Sequence, residues 1–297
     1  MQSKNYCLRQ KANLLSYNSF GLNSTAEIVC YPYNDSGIAE IYRDYPEATI
    51  VVLGNGTNVL FSKTYYDNNY VFLSMKLMDS LKIENDSIIA ESGVSLNRLA
   101  WFAVERGIDG FEFLEDVPGS VGGAVIMNAG TYSDNISQIL KSVTYYSISK
   151  NTIISAEKEE LDFHTRGSLL SLGDNIVLRV QFVSKKRNDD NYLSSVKRIL
   201  EIKENRYTKQ PRNYPSAGSV FKRPVHNGKQ EEVWRLVNDV GLRGYRIGGA
   251  EISEKHTGFI VNLGSAKYED IEGLIQLIKD KVYTTYSITL EEEVKRI

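Results

Sequence analysis

The spacing of apolar and polar positions divides the chain into short strand-like runs and longer helical stripes. "ATIVVLG" (Ala48 to Gly54) is an unbroken β-branched run and predicts a buried strand. "YVFLSM" (Tyr70 to Met75) predicts another, and "LKIENDSIIAESG" (Leu81 to Gly93) predicts a hairpin turning at "END". In "SLNRLAWFAVERG" the apolar residues Leu96, Leu99, Ala100, Ala103 and Val104 recur at helical spacing. Ser95 can cap the start of that helix and Gly107 its end. "SVTYYSIS", "KN" and "TIISAEKEEL" predict a second hairpin. "IVLRVQFV" (Ile176 to Val183) alternates, which puts Ile176, Leu178, Val180 and Phe182 on one face of a strand.

The pattern then breaks at the polar, charged run "SKKRNDDN" (Ser184 to Asn191), the best candidate for a domain boundary. Beyond it, Leu193 to Arg206 predicts a helix, and "EVWRLVNDVG" a second with Val233, Leu236, Val237 and Val240 at helical spacing. "GFIVNLG" predicts a short strand. "YEDIEGLIQLIKDKV" predicts an amphipathic helix with Ile271, Leu274, Ile275, Ile278 and Val282 on one stripe, and "SITLEEEV" a final strand. The expected class is α+β, in at least two lobes.

Composition narrows the function classes. At 297 residues, 42% hydrophobic and 24% charged, the chain reads as a soluble globular protein of enzyme size. A net charge of −2 with no basic face argues against nucleic acid as a partner. No apolar run is long enough to insert in a membrane, and the N-terminal stretch has no apolar core of a signal peptide. Two cysteines, Cys7 and Cys30, make no disulfide framework, and three scattered histidines make no zinc site, so a reducing, cytoplasmic setting is expected.

Candidate chemistry lies in three glycine-marked stretches. "VVLGNGTNVLFS" sets a Gly-x-Gly turn directly after a strand, but Val59 stands where a dinucleotide fingerprint needs its third glycine. No Gly-Lys-Ser/Thr follows, so a P-loop is excluded as well. What remains is a turn whose backbone N–H groups can make an anion nest. "DVPGSVGGAVIMNAGTY" (Asp116 to Tyr132) has the same character, with a middle apolar enough for a buried strand. Its glycine pair suits either close approach by a ligand or a bulged corner of the core. "YPSAGSVFKRP" (Tyr214 to Pro224) puts Ser219 in a turn that lacks the nucleophile-elbow pattern, which leaves a proton-donor role open.

At these residues the chain resembles the UDP-N-acetylenolpyruvoylglucosamine reductase family. The resemblance is carried by "LGNGTNVL", "GIDGFEFLEDVPGSVGGAVIMNAGTY", "RYTKQPRNYPSAGSVFK", "GGAEISEKHTGFIVN" and "LEEEV", in the family's order, from about Asn18 to the C-terminus. The chain looks like the shorter, type II-like form. The resemblance implies a two-lobed FAD-binding unit of the vanillyl-alcohol-oxidase type, residues 1–78 and 79–188, and a C-terminal α+β substrate lobe, residues 189–297. It implies non-covalent FAD, NADPH as hydride donor and a UDP-sugar as substrate. Hydride would pass from NADPH to the cofactor and on to an enolpyruvyl group. Gly54, Asn55, Gly56, Thr57 and Asn58 would take the cofactor pyrophosphate, and Pro118, Gly119, Ser120, Gly122, Gly123 and Ala124 would line the cofactor further along.

By the same resemblance Ser219 matches the family's proton donor, Arg166 its arginine, Glu293 its glutamate and Lys209 a diphosphate-facing lysine. Read without it, Arg166, Lys209 and Lys222 are surface charges, Glu291 to Glu293 a solvated strand end, and His256 a packing residue. Two positions depart from the family pattern: Thr165 precedes Arg166 where tyrosine is usual, and Arg223 stands where asparagine is usual. The alternatives are another FAD oxidase of a small alcohol or sugar, and a sugar-nucleotide binding protein without catalysis.

Overall fold

The computed structural model describes residues 3–131, 134–185 and 192–297. Most of the run expected to mark a boundary, residues 186–191, lies outside the described residues, as does Tyr132 at the end of the glycine-rich stretch. The chain forms two compact units, each assembled from separate segments, where the sequence suggests lobes at 1–78, 79–188 and 189–297.

The first unit comprises Met1–Gln10, Glu27–Asn55 and Asp67–Asn205. Its first sheet has the order Tyr6–Asn13, Thr25–Pro32, Tyr65–Ser74, Thr49–Leu53. The last two strands pair in parallel, with Leu53 opposite Ser74. Thr49–Leu53 is thus an edge strand; Val52 is 41% exposed and only Leu53 is buried, which corrects the expectation of a buried strand. Its neighbour begins at Tyr65, five residues before the apolar run shows itself, because the polar "YYDNN" hides the pattern. The sequence pattern predicts neither of the first two strands nor helix α1 (Asp35–Asp44). Asn34 caps α1 by accepting from the Gly37 N–H at 3.1 Å, and Ile38 and Ile41 are its buried face.

The second sheet is antiparallel, in the order Thr152–Glu157, Leu140–Ser147, Asn175–Val183, Ser87–Glu91, Leu81–Glu84. Both expected hairpins are present. The tight turn between the last two strands puts Asn85 and Asp86 at positive φ, as a primed turn needs. Helix α2 (Leu96–Val104) starts where Ser95 Oγ accepts from the Arg98 N–H and is followed by Gly107 in the left-handed region. Its face packs with Phe111, Val121, Val180 and Phe182.

Strand Asn175–Val183 does not keep one apolar face. Its register against the neighbouring strand slips between Thr144↔Arg179 and Tyr145↔Val177. This bulge leaves Val177, Val180 and Phe182 in the core under α2 and sends Ile176 and Leu178 to a second core with Cys30, Ile38, Val71 and Leu73. One strand therefore serves both cores of the unit. The apolar middle of "DVPGSVGGAVIMNAGTY" is also not a strand. It forms a short helix, α3 (Val121–Ile126), whose Val121 and Val125 fall on one buried face. Helix α4 (Tyr192–Lys209) extends the expected helix at both ends.

The second unit comprises Lys11–Ala26, Gly56–Tyr66 and Arg206–Ile297. Its core joins Phe20, Leu22 and Leu60, from the first two segments, to Val220 and Phe221, helix α5 (Val233–Asp239) and helix α6 (Tyr268–Tyr286). All five residues of the expected α6 stripe are buried. A small sheet runs Arg246–Ile247, Ala250–Ile252, Ile260–Asn262. The expected last strand over "SITLEEEV" is replaced by an irregular segment with one bridge, Phe221↔Glu292. Regular pairing starts only at Lys295–Arg296, which runs parallel to Val59–Leu60. Ahead of it, Glu292 is drawn sideways by Lys279 and Arg296.

Candidate active site

In the first unit the two glycine-rich loops meet. A Cβ on Gly54 would collide with Ser120 Oγ. Ser120 is held by the chain on both sides: it bridges Ser95, and Val121 N–H donates to Val94 O at 2.8 Å. Gly122 N–H donates to Ser92 O at 2.9 Å, and a Cβ on Gly122 would lie 2.8 Å from Ser92 Cβ. The close approach at Gly122 is therefore to the protein itself. Gly123 differs. A Cβ there would meet only Ser120 Oγ, at 3.6 Å, and the residue is exposed. Ala124 is buried and belongs to the α3 core. Gly119 adopts φ +143°, a conformation that favours glycine.

Two buried hydroxyls flank this junction. Ser74 Oγ, on the residue paired with Leu53, and Ser92 Oγ, beside Gly122, have no hydrogen-bond partner among the described residues. Leaving such a group unsatisfied costs about 1–3 kcal/mol. Glycine backbone without side chains, an open position at Gly123 and two unsatisfied hydroxyls fit a flat, polar-edged cofactor such as FAD. Composition and spacing drew attention to the glycines; nothing in the sequence singled out Ser74 or Ser92. A separate cleft of about 450 Å³ on the polar face of the five-stranded sheet, lined by Lys82, Glu91 and Arg179 among others, contains no residue of either glycine loop.

Arg166 occupies a tight turn in the same unit. His164 and Gly167 exchange backbone hydrogen bonds at 3.0 and 3.2 Å, and Arg166 between them sits at φ +59°. A non-glycine residue in the left-handed region is strained, and such strain clusters at functional sites. The turn hangs on Asn128, just past α3, whose side chain donates to His164 O at 3.0 Å and accepts from the Ser137 N–H at 3.3 Å. Asn128 lies in the glycine-rich motif and gave no separate signal in the sequence.

In the second unit the remainder of the first glycine loop is knit to the C-terminal segment. Gly56, at φ +66°, lies so close to Tyr17 O that a Cβ would collide with it. Ser19 donates from N–H to Gly56 O and from Oγ to Thr57 O, at 3.0 and 3.2 Å. Asn58 Nδ2 donates to Glu293 O at 3.0 Å. Ser219 and Glu293 lie on adjacent backbone: Val220 O accepts from the Glu293 N–H at 2.8 Å, and Ser219 bridges Phe259 on the other side. Ser219 is exposed and Glu293 half-buried. The neighbouring glutamates face other partners, Glu291 bonding Lys222 and Glu292 bonding Lys279 and Arg296. Burial would raise the Glu292 pKa, but hydrogen bonds from Arg296 and Lys279 outweigh it and hold the carboxyl below its ordinary range.

Lys209 is the exposed last residue of α4, and Arg223 is paired with Glu232 at 3.3 Å. A cleft of about 610 Å³ in this unit is lined by Tyr207, Arg212, Tyr214, Glu254 and Lys255, among others. Among the described residues no helix is long and apolar enough to cross a membrane.

Comparison with known proteins matches two parts of the chain. Residues 210–297 match the model of the UDP-N-acetylenolpyruvoylglucosamine reductase C-terminal domain, and residues 26–157 match an FAD binding domain. The UDP-N-acetylenolpyruvoylglucosamine reductase of Thermosipho melanesiensis is 41% identical over 93% of this chain and 91% of its own length. That of Caldicellulosiruptor bescii is 38% identical over 96% and 88%. The crystal structure of the Thermus caldophilus UDP-N-acetylenolpyruvylglucosamine reductase superposes with a TM-score of 0.80 at 29% identity, covering 97% of this chain and 99% of that one.

Proposed function

The chain belongs to the UDP-N-acetylenolpyruvoylglucosamine reductase family, FAD-dependent oxidoreductases of peptidoglycan synthesis, and on that premise we propose that NADPH is its hydride donor and the enolpyruvyl group of UDP-N-acetylglucosamine enolpyruvate its acceptor. When bound, FAD supplies the centre that takes hydride from the nucleotide and passes it to the enolpyruvyl methylene carbon.

The residues of this chain do the rest. Gly54 and Gly122 let the two loops pack closely against the protein, Gly123 leaves an open position at which a side chain would obstruct the cofactor, and Ser74 and Ser92 offer hydroxyls without hydrogen-bond partners among the described residues. With no histidine in either glycine loop, binding is non-covalent. Arg166 presents a planar guanidinium to the substrate carboxylate, where negative charge builds as hydride arrives. Ser219 gives a proton to the adjacent carbon, and Glu293, one backbone bond from Val220, is the neighbour through which that proton is replaced. Lys209 is a compact cation for the diphosphate. Arg223, in place of the usual amide, has its charge met by Glu232, so the exchange adds no free cation. Two free cysteines suit a cytoplasmic, reducing setting.

The observation that carries this reading is the pinning of Ser219 beside Glu293 through the Val220 backbone, in a chain with an FAD binding domain. The test separates the half-reactions. The purified protein should be yellow, NADPH should bleach it, and the enolpyruvyl substrate should restore the colour. Ser219→Ala should leave bleaching intact and slow the return by roughly a thousandfold, about 4 kcal/mol of barrier. Rapid return with oxygen and none with the enolpyruvyl substrate would instead identify an oxidase.

A further inference from the structure

The segment Ser253 to Phe259 folds back on itself beside Ser219. Ser253 N–H donates to Phe259 O and Phe259 N–H to His256 O, both at 2.9 Å. His256 N–H and Lys255 N–H reach Ser253 Oγ at 3.3 and 3.2 Å, and Thr257 Oγ1 donates to Trp234 O in α5. Inside the turn, His256 Nδ1 accepts from the Gly258 N–H at 3.2 Å. This is the two-residue reach of an Asx turn, made by an imidazole. The ring is fixed by Phe259, 4.8 Å away and edge-on, and by Trp234 at 6.4 Å. It also fills the space a side chain at position 258 would need, since a Cβ there would lie 3.0 Å from the ring.

Gly258 is where the turn touches the reactive strand. Its carbonyl accepts from the Val220 N–H at 3.0 Å, while Val220 O accepts from the Glu293 N–H at 2.8 Å. The backbone immediately after Ser219 is therefore placed by Gly258 on one side and by Glu293 on the other. We propose that His256 is a positioning residue for the Ser219 hydroxyl, acting through Gly258 and Val220. The inference rests on the reductase reading above and adds a residue to it.

The brace needs a neutral ring. With Nδ1 accepting, the ring proton is on Nε2; protonating Nδ1 would turn a donor toward the Gly258 N–H. Burial lowers the pKa of His256 below its ordinary value, and Arg223 and Arg243 lower it further, while a backbone hydrogen bond and Glu232 at the start of α5 oppose the shift. The ring thus stays neutral at pH 7, and the brace is lost only as pH falls through that depressed value.

The test uses the cofactor-loaded enzyme and two substitutions. His256→Phe keeps the ring packing and removes the acceptor; His256→Asn restores an acceptor at the same reach. With NADPH bleaching unchanged in both, colour return at saturating substrate should slow roughly tenfold in His256→Phe and recover most of that in His256→Asn. In the wild type the return rate should fall in acid, and that fall should be missing from His256→Asn. Wild-type return in His256→Phe, or equal slowing in both variants, overturns the inference and leaves the reductase reading standing. If His256→Phe does not fold, the acid limb decides: its persistence in His256→Asn overturns the inference. No colour return in the wild type overturns the reductase reading and the inference together.

Discussion

Gly122 and Gly123 are neighbours with different reasons to be glycine. Gly122 lets α3 lie against Ser92, and a methyl there meets Ser92 Cβ at 2.8 Å. Gly122→Ala should therefore lower stability by about 1–3 kcal/mol, the usual cost of overpacking, read as a fall in melting temperature. Gly123 faces open space apart from Ser120 Oγ. Gly123→Leu should fold as well as the parent, since leucine suits a helix better than glycine. Its flavin content per chain should drop at least tenfold, about 1.4 kcal/mol of lost affinity. Full occupancy in that variant would mean the cofactor does not approach Gly123. The sequence made both glycines conspicuous and could not tell them apart, because the difference lies in what is opposite each. The glycine-bracketed turn marks Ser219 in the sequence, whereas Arg166 stands out by resemblance alone; the strain at Arg166 and the backbone pinning of Ser219 are visible only in three dimensions.

At the level of elements, the short connection from α3 through Asn128 ties the glycine-rich motif to the turn that carries Arg166. Asn128 has φ +42°, so glycine can take its place without backbone strain while removing both side-chain bonds. Asn128→Gly should leave flavin content and bleaching by NADPH unchanged and slow colour return roughly tenfold, about 1.4 kcal/mol of barrier. An unchanged return rate would show that the turn holds itself. Elements with strong local signals were legible: α2 and α6 from their stripes, and both hairpins from their turns. The misread ones were decided by neighbours. The β-branched run at Thr49–Leu53 is an edge strand because, among the described residues, its sheet ends there, and α3 is hidden in the sequence because its glycines mimic a strand boundary. The bulge in Asn175–Val183 is a property of two strands together.

For the whole molecule, the second unit is the less legible, because its core is not contiguous in sequence. Phe20, Leu22 and Leu60 are buried among residues that follow position 216. A fragment of residues 206–297 alone would expose that core and lose the partner of its terminal strand, Val59–Leu60. It should give a broad, non-cooperative thermal transition by circular dichroism and rapid proteolysis, whereas the full chain should melt cooperatively. A sharp transition in the fragment would show that the N-terminal segments are dispensable.

The bonds from Asn58 to Glu293 and from Ser62 to Ile297 each span 235 residues of chain. On a ribosome adding about 5–20 residues per second, the residues around position 60 wait on the order of ten seconds or more before their partners exist. The nascent chain can complete the two sheets of the first unit in that interval, since every strand of both has by then emerged. The second unit can close only once its partners up to Ile297 have been made, leaving Phe20, Leu22 and Leu60 uncovered meanwhile. That interval is when holding chaperones have most to protect, and it makes residues 293–297 the ones on which assembly of the second unit depends.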